Sequence, residues 1–458
     1  MATVALYAVV VTVTARQDLV QDTWLTLVDG REVAQNGIPH HDSLFIWTYG
    51  RPWVNQQWLG QLFFYGLYVV GGIRLVLLGH VGMLVAAAAV LVATARARGA
   101  SPKAILLTGG ACLLIAPWGL QARAQSIGEL FFALWLALVL TPGRLTTRRC
   151  LTLLLVLVVW ANVHGSVMLA VVLTVAWGVT LLISRRTGER RAAWLLVVGA
   201  PLCVFASPYG TDLIGYYHSL LLNPALPRFV NEWRAPAPSR MTAAFYAVLL
   251  GSAWLLGRAG RRLSIQDKLI FVLLGLAALE AIRSIVWFAL AAVPLIAPLL
   301  DDLIGGVRIP NGRAAGRLGA TCGALAVVAC CAIFTQPTSW FLAQWPAAAA
   351  ARATTFAQTH PNAAIVSDSR YADWLLWSAP SLRDRIAYDV RFELFTPAQF
   401  QTLTQGDTPT TPRAYSHRPT LVVFDVRSEH CNKTAPCRFL YRDNYIAVAQ
   451  TQAQKTNR

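Results

Sequence analysis

Charged residues are scarce in this chain of 458 residues. Asp, Glu, Lys and Arg make up only 13% of it, about half of the roughly 25% that is typical of a soluble domain. Hydrophobic residues make up 56%, and the mean hydropathy is +0.49. These values exclude a wholly soluble protein, and the abundance of apolar residues also excludes an intrinsically disordered one.

Acidic residues are fewer than basic ones, with 22 Asp and Glu against 39 Lys and Arg. The basic residues stand in short stretches between apolar runs and do not cluster on a soluble face, so we expect no nucleic-acid partner.

No Cys and His cluster has zinc-ligand spacing. Most cysteines lie in or beside apolar runs, whereas Cys431 and Cys437 lie in a polar segment. In an oxidising compartment this pair predicts a small disulfide loop.

Long apolar runs are the dominant feature of the chain. A helix needs about 20 apolar residues to cross a bilayer. The runs lie at residues 2–14, 73–95, 104–120, 129–140, 151–160, 167–183, 193–206, 243–257, 269–281, 285–300 and 318–334. We predict about eleven crossings. The run at residues 58–70 is surplus and predicts a re-entrant or interfacial helix.

The loops between the runs predict the orientation. Basic groups lie at residues 96–103, 144–149, 185–191, 258–268 and 308–317. Each group is separated from the next by two apolar runs, so all lie on one side, which the positive-inside rule makes cytoplasmic. The polar first loop at residues 15–58 and the segment at residues 336–458 then lie on the outer side.

The sequence divides into a transmembrane domain at residues 1–335 and an extracytoplasmic domain at residues 336–458. The second contains short runs rich in β-branched or aromatic residues, which predict strands at residues 363–366, 386–390, 420–426 and 445–449. Helical segments are predicted at residues 350–360 and 371–377. The predicted fold is therefore mainly α and polytopic, with a small C-terminal α/β domain.

Ionisable residues of several types collect in the predicted outer loops. Asp22 precedes an amphipathic stretch at residues 23–33, where it is a candidate catalytic carboxylate or simply a helix N-cap. Asp18 is the competing carboxylate. Arg123 and Arg283 lie at outer helix ends, where a guanidinium fork suits phosphate, although such residues also extend to lipid headgroups.

His164 and Glu232 also lie in outer loops. Each is a candidate site residue or an ordinary polar loop residue. The aromatic residues at positions 53–58, including Trp53, fit either membrane-interface anchoring or stacking on a sugar.

The motifs of the first loop resemble those of the GT-C superfamily of polytopic membrane glycosyltransferases, which includes protein mannosyltransferases and lipid A aminoarabinose transferases. Asp22 opens an amphipathic helix, a turn at residues 36–39 and Asp42 follow, and a Trp-rich stretch at residues 50–59 enters the next helix. The chain is also similar to a bacterial branch of that superfamily. The shared motifs are Trp-Ala-Asn-Val-His-Gly at 160–165, Ser-Pro-Tyr-Gly at 207–210, Glu-Trp at 232–233 and Tyr-Asp-Val-Arg-Phe-Glu-Leu at 388–394.

The resemblance implies an inverting transfer of a sugar from a polyprenyl-phosphate donor to a glycan, lipid or protein acceptor at the outer face of a bacterial inner membrane. Asp22 is implied as the general base. The implied donor-phosphate and substrate residues are Arg123, Arg283, His164 and Glu232, and the implied supporting residues are Asp18, Asp42 and Trp53. A divalent cation, Mg²⁺ or Mn²⁺, is a candidate cofactor, and membrane lipid is a partner.

Two alternatives remain open. A transporter or flippase of lipid-linked substrates is expected to carry ionisable or helix-breaking residues near mid-membrane, often in repeats, and neither is evident. The second alternative is a non-catalytic scaffold of the same fold. Thr23 and Gln57 stand where the superfamily often has Glu, so a catalytic or metal-binding carboxylate could be missing.

Overall fold

The structure is a computed structural model of the chain, and it describes residues 2–184, 188–259, 263–305, 312–404, 418–427 and 437–451. The helices of the first half are α1 (Ala2–Thr14), α2 (Gln21–Asn36), α3 (Trp58–Ala97), α4 (Pro102–Ile115), α5 (Gln125–Leu140), α6 (Thr147–Ala161), α7 (Val167–Ile183), α8 (Arg190–Val204) and α9 (Asp212–Leu221). They continue with α10 (Ala225–Phe229), α11 (Ala243–Ala259), α12 (Ile265–Glu280), α13 (Ile285–Ile304), α14 (Gly312–Phe334), α15 (Thr338–Phe341), α16 (Ala347–Thr359), α17 (Ser369–Ser378) and α18 (Pro397–Thr404). The strands are β1 (Ala364–Ser367), β2 (Thr420–Asp425), β3 (Cys437–Arg442) and β4 (Ile446–Thr451).

Each apolar run predicted from the sequence falls largely or wholly within a helix, which confirms a polytopic helical protein. Among the described residues, three segments are long and apolar enough to cross a membrane: Trp58–Ala97, Ile282–Ile304 and Gly316–Phe334. Shorter apolar helices accompany them. The surplus run at residues 58–70 forms the first part of α3, and non-helical backbone at Gly71 and Gly72 separates it from the rest. Gly72 has φ 64°, a conformation that favours glycine.

The chain forms two compact units. The helical unit comprises Met1–Asp18, Arg74–Gly215 and Val230–Thr335. The mixed unit comprises Leu19–Ile73, Tyr216–Phe229 and Gln336–Arg458. The first loop therefore folds together with the C-terminal segment, although the two are far apart in sequence.

Helix α13 forms the centre of the helical unit and packs against α4, α11 and α12. An aromatic cluster beside it joins α5, α6 and α13 through Phe132, Trp160 and Trp287, with ring centroids 5.3–6.3 Å apart. Outward faces of the unit are apolar as well: Leu155 is 63% exposed and Val328 is 63% exposed. Apolar side chains on both the inner and outer faces of helices are typical of a protein in lipid.

Arg98 bonds to α13 at a position where a proline removes a helical hydrogen bond. Pro298 has no N–H, so the carbonyl of Pro294 lacks its usual helical donor. The Nε of Arg98 donates to that carbonyl at 3.1 Å. The same guanidinium pairs with Asp267 at 3.1 Å. The basic loop after α3 is thereby fixed to α12 and α13.

The mixed unit contains a four-stranded sheet in the order β1-β2-β4-β3, with β1 and β2 parallel and the other pairs antiparallel. The predictions of strands near residues 363–366, 420–426 and 445–449 are confirmed. The predicted strand at residues 386–390 is wrong, because its only ladder contact is an isolated bridge between Ile365 and Ile386. The carbonyls of Ile386 and Ala387 instead accept from residues 46 and 47 of the first loop, both at 2.9 Å.

Strand β3 was not predicted from the sequence. It pairs with β4 through a turn in which Asp443 accepts from the N–H groups of Tyr445 and Ile446, at 2.7 and 2.8 Å. The predicted Cys431–Cys437 disulfide involves a residue outside the described part of the chain.

Candidate active site

In the helical unit, the end of α1 is joined to the turn that precedes α5. The N–H of Ala122 donates to the carbonyl of Asp18 at 2.8 Å. The Asp18 carboxyl group accepts from Thr14 Oγ1 at 2.9 Å and is buried. Burial raises the pKa of Asp18 to about 7, against the lowering effect of Thr14. Asp18 therefore titrates close to neutral pH.

His164 lies in the turn between α6 and α7, near both predicted phosphate ligands. Gly128 permits this position, since a Cβ there would lie 3.2 Å from the Cβ of His164. Burial lowers the pKa of His164 well below its usual value, and the guanidinium groups of Arg283 and Arg123 lower it further. The N–H of Ser166 donates to Nδ1 of His164 at 3.2 Å, as a neutral ring allows. The structure thus brings His164, Arg123 and Arg283 into one region.

Two short 3-10 helices, Asn231–Trp233 and Ile282–Ser284, hold Arg283. The N–H of Ile282 donates to the carbonyl of Arg234 at 2.9 Å. The guanidinium of Arg283 lies 4.2 Å from the ring centroid of Trp233 and 3.8 Å from Glu232 Oε1. Glu232, predicted as a substrate residue, is thus a partner of Arg283. Trp233, which belongs to the Glu-Trp motif at residues 232–233, stacks on the Arg283 side chain.

A groove of about 200 Å³ opens in the same unit, between α1, α3, α4 and α13. Its lining is mainly apolar and includes Leu84, Ala88, Gly109, Leu113, Ala289 and Val293. Glu129, near the start of α5, also lines it. The sequence did not predict which residues line the groove, because they come from helices that are separate in the sequence.

In the mixed unit, Asp22 lies in the first turn of α2 and is partly buried. The residue at the N-cap position is Val20, whose N–H donates to Thr23 Oγ1 at 3.2 Å. The alternative interpretation of Asp22 as the N-cap is therefore wrong. A carboxylate in the first turn remains favourable beside the positive end of the helix dipole.

Asp42 and Trp53, the predicted supporting residues, meet at a buried arginine. Arg391 pairs with Asp42 at 3.0 Å and with Asp389 at 2.5 Å. Its guanidinium carbon lies 4.3 Å from the ring centroid of Trp53, and all four side chains are buried. Arg391 and Asp389 belong to the motif at residues 388–394 but were not singled out. The only sequence feature that could have identified them is the Tyr-Asp-Val-Arg pattern at residues 388–391.

Two further buried carboxyl groups lie in this unit. Asp29, on α2, accepts from Gln61 Nε2 at 3.1 Å. Asp373, on α17, has no hydrogen-bond partner among the described residues. Burial raises the pKa of both groups well above the usual range, and the Asp389 carboxylate adds to this effect at each. At Asp29 the positive charge of Arg391 partly offsets this rise in the pKa.

The described residues do not include a group of three or more His, Cys, Asp or Glu side chains placed to hold a metal ion. The divalent cation expected from the resemblance is therefore not matched by a ligand set in the described parts of the chain, and it stays a prediction.

No family model matches the chain, and no curated protein matches it. Solved structures do match it, among them two of one protein. The crystal structure of ArnT from Cupriavidus metallidurans bound to undecaprenyl phosphate has a TM-score of 0.52 and 15% identity, over 98% of this chain and 97% of that one. The apo structure of the same protein has a TM-score of 0.50 and 15% identity, over 95% and 94%. The chain therefore has the polytopic GT-C fold of ArnT, as the resemblance implied.

Proposed function

We propose that the chain is a membrane glycosyltransferase that moves a sugar from a polyprenyl phosphate to an acceptor at the outer face of a bacterial inner membrane. The observation that carries the proposal is the apolar groove of the helical unit. A lipid tail needs such a groove between helices, and ArnT was crystallised with undecaprenyl phosphate. About 200 Å³ accommodates the start of a tail, and the remainder would lie in the bilayer.

The donor phosphate is assigned to Arg123 and Arg283. Both lie close enough to His164 to act on it electrostatically. A guanidinium donates two parallel hydrogen bonds and stays charged, which suits a phosphate leaving group. Stacking on Trp233 and pairing with Glu232 restrict the orientation of Arg283. A neutral His164 can donate a further hydrogen bond without adding charge.

Asp22 is assigned as the general base. It takes the proton of the acceptor hydroxyl as the acceptor oxygen bonds to the anomeric carbon. The bond between that carbon and the phosphate oxygen breaks, and its electron pair stays with the phosphate, so the configuration inverts. Asp18 is the competing base, because a pKa of about 7 suits proton transfer at neutral pH.

Asp42 and Trp53 are assigned a supporting role through Arg391. Their contacts fix the first loop to the motif at residues 388–394 within the mixed unit. No step of the proposed mechanism uses a metal ion.

A substitution that fills the groove tests the proposal. A Cβ at Gly109, which lines the groove, or at Gly82, which does not, meets no atom within 4 Å. We therefore expect both Gly109→Leu and Gly82→Leu to fold. Gly109→Leu should weaken binding of undecaprenyl phosphate about tenfold or more, because several buried CH₂ contacts are lost.

Native mass spectrometry of the full chain in lipid nanodiscs measures this binding. Gly82→Leu is the matched control and should bind as the wild type does. Equal binding by the Gly109→Leu variant would contradict the assignment of the groove to the donor lipid.

A further inference from the structure

Glu129 is the one carboxyl group among the described residues that line the apolar groove. It lies near the start of α5 and is 3% exposed. Gln125 Nε2 donates to its Oε1 at 3.0 Å. Within the described part of the chain no donor contacts its Oε2. A buried carboxyl group with one unused oxygen at an apolar groove points to a ligand atom that pairs with it.

The backbone around Glu129 makes room for this carboxyl group. A Cβ at Gly119 would lie 2.9 Å from Val286 Cγ2 and 3.6 Å from Glu129 Oε1. Glycine at this position lets the 3-10 helix Pro117–Leu120 approach α13 and the carboxyl group together. The end of the groove near Ala116, Gly119 and Leu120 is therefore the end that holds the carboxyl group.

Titratable groups near Glu129 come from several neighbouring elements. On α3, His80 pairs with Ser126 Oγ of α5 at 2.7 Å and with the carbonyl of Leu120 at 3.0 Å. Arg123, in the turn before α5, and Tyr7, on α1, interact with it electrostatically. Cys112 of α4 also lines the groove, but its thiol donates to the carbonyl of Ala289 at 3.0 Å. The residues that α13 contributes to the lining are not ionisable. Among the described residues, Arg123 is thus the one cation that acts electrostatically on Glu129.

A phosphate beside Glu129 has opposite consequences for the two forms of the carboxyl group. An ionised carboxylate repels a phosphate anion, and the repulsion is strong where water is excluded. A carboxylic acid instead donates a hydrogen bond to a phosphate oxygen. A lipid phosphate at Arg123 therefore favours the protonated form of Glu129.

We propose that Glu129 contacts the lipid phosphate as a carboxylic acid, so that binding of a polyprenyl monophosphate is coupled to the uptake of one proton at every pH where the carboxyl group of the lipid-free protein is ionised. This inference rests on the proposed function, which places the phosphate at Arg123. At such a pH the proton is taken from solvent when the lipid binds and is returned when it leaves. Glu129 is then a specificity residue that discriminates a phosphorylated lipid from the corresponding alcohol in a pH-dependent way.

The pH dependence of lipid binding tests the coupling. The affinity of the full chain for undecaprenyl phosphate is measured between pH 5.5 and 9.5 in nanodiscs, for the wild type and for Glu129→Gln. Gln keeps the size and a hydrogen-bond donor but cannot take up a proton. The free lipid phosphate itself titrates near pH 6, roughly as a phosphorylated side chain does, and this free form is common to both experiments. The ratio of the two affinities therefore isolates Glu129.

We expect this ratio to move in favour of Glu129→Gln as the pH rises, by up to about tenfold per pH unit where one proton is taken up. Undecaprenol, which lacks phosphate, should bind both proteins equally at every pH. Glu129→Ala should lack the pH dependence of the wild type, as Glu129→Gln does. At low pH it should bind undecaprenyl phosphate more weakly than Glu129→Gln, because Ala cannot donate a hydrogen bond to the phosphate.

The outcomes separate the two proposals. If both proteins bind undecaprenyl phosphate with the same pH profile, the coupling is wrong and the proposed function stands. If the folded wild type binds undecaprenol as tightly as undecaprenyl phosphate at every pH, both proposals are overturned.

Discussion

The guanidinium of Arg283 lies over the indole ring of Trp233, at 4.2 Å from the ring centroid. Stacking of this kind contributes about 0.5–1 kcal/mol at a partly exposed site. We expect Trp233→Ala to weaken undecaprenyl phosphate binding about three-fold, since Arg283 would lose its orientation, and Trp233→Phe to weaken it less. Arg258 lies 5.8 Å from the ring of Trp254, so Trp254→Ala is the matched control and should leave the affinity unchanged. An equal loss in both alanine variants would contradict the specific role of Trp233.

Arg391 forms two buried ion pairs in the mixed unit, with Asp42 and with Asp389. Arg391→Met would leave Asp42 and Asp389 buried without their cation, which costs roughly 3–5 kcal/mol in the free energy of unfolding. Arg427 is 71% exposed at its side chain and pairs with Asp425 at 3.4 Å, so Arg427→Met should change stability by less than about 1 kcal/mol. Thermal unfolding in detergent compares the two. Similar unfolding temperatures for both variants would contradict the assigned role of Arg391.

Asp18 predicts a pH-dependent stability. Burial raises its pKa to about 7, so the folded protein keeps a proton that the unfolded chain releases above about pH 4. The free energy of unfolding that depends on protonated Asp18 is therefore fully present at low pH, and it is lost as the pH rises towards 7. Asp18→Asn should match the wild type at pH 4 and become more stable than the wild type by pH 8. A stability difference between the two proteins that stays constant from pH 4 to pH 8 would contradict the raised pKa of Asp18.

The orientation predicted from the basic loops can be measured by cysteine labelling. His41, in the first loop, and Thr147, beside the basic group before α6, are both exposed. In a cysteine-free background, a membrane-impermeant maleimide added to spheroplasts should label His41→Cys and leave Thr147→Cys unmodified until the membrane is opened. Labelling of both positions in intact spheroplasts would refute the predicted topology.

Much of the fold could be predicted because membrane helices have a simple signature. Apolar runs such as residues 167–183 are identified by length and composition alone, and the corresponding helix is Val167–Ile183. Strands were harder to predict. Residues 386–390 have strand-like composition, but their carbonyls bond to residues 46 and 47, about 340 positions earlier in the chain.

The candidate site was predictable only where a residue stood in a recognisable motif or at a helix end. His164 and Arg283, which the structure brings into one region, were predicted in this way. Asp22 was predicted in the same way, and its role stays a prediction. Glu129 was missed because it stands at the start of an apolar run, and only the packing of α1, α3, α4 and α13 makes it part of a groove. Arg391 was missed because its buried partner Asp42 is distant in sequence.

The central claim is that the chain transfers a sugar from a polyprenyl phosphate with Asp22 as the base. Lipid mass spectrometry of host cells tests this claim most directly, comparing cells with the wild type, with Asp22→Asn, with Asp212→Asn and without the protein. Asp212 is an exposed acid in the first turn of α9, as Asp22 is an acid in the first turn of α2, so it serves as the control. The account predicts that cells with Asp22→Asn accumulate the same polyprenyl-phosphate sugar as cells without the protein. The purified variant should release undecaprenyl phosphate from that lipid roughly 10²–10⁴-fold more slowly than the wild type. Lipid pools and release rates of Asp22→Asn that equal those of the wild type and of Asp212→Asn would contradict the account.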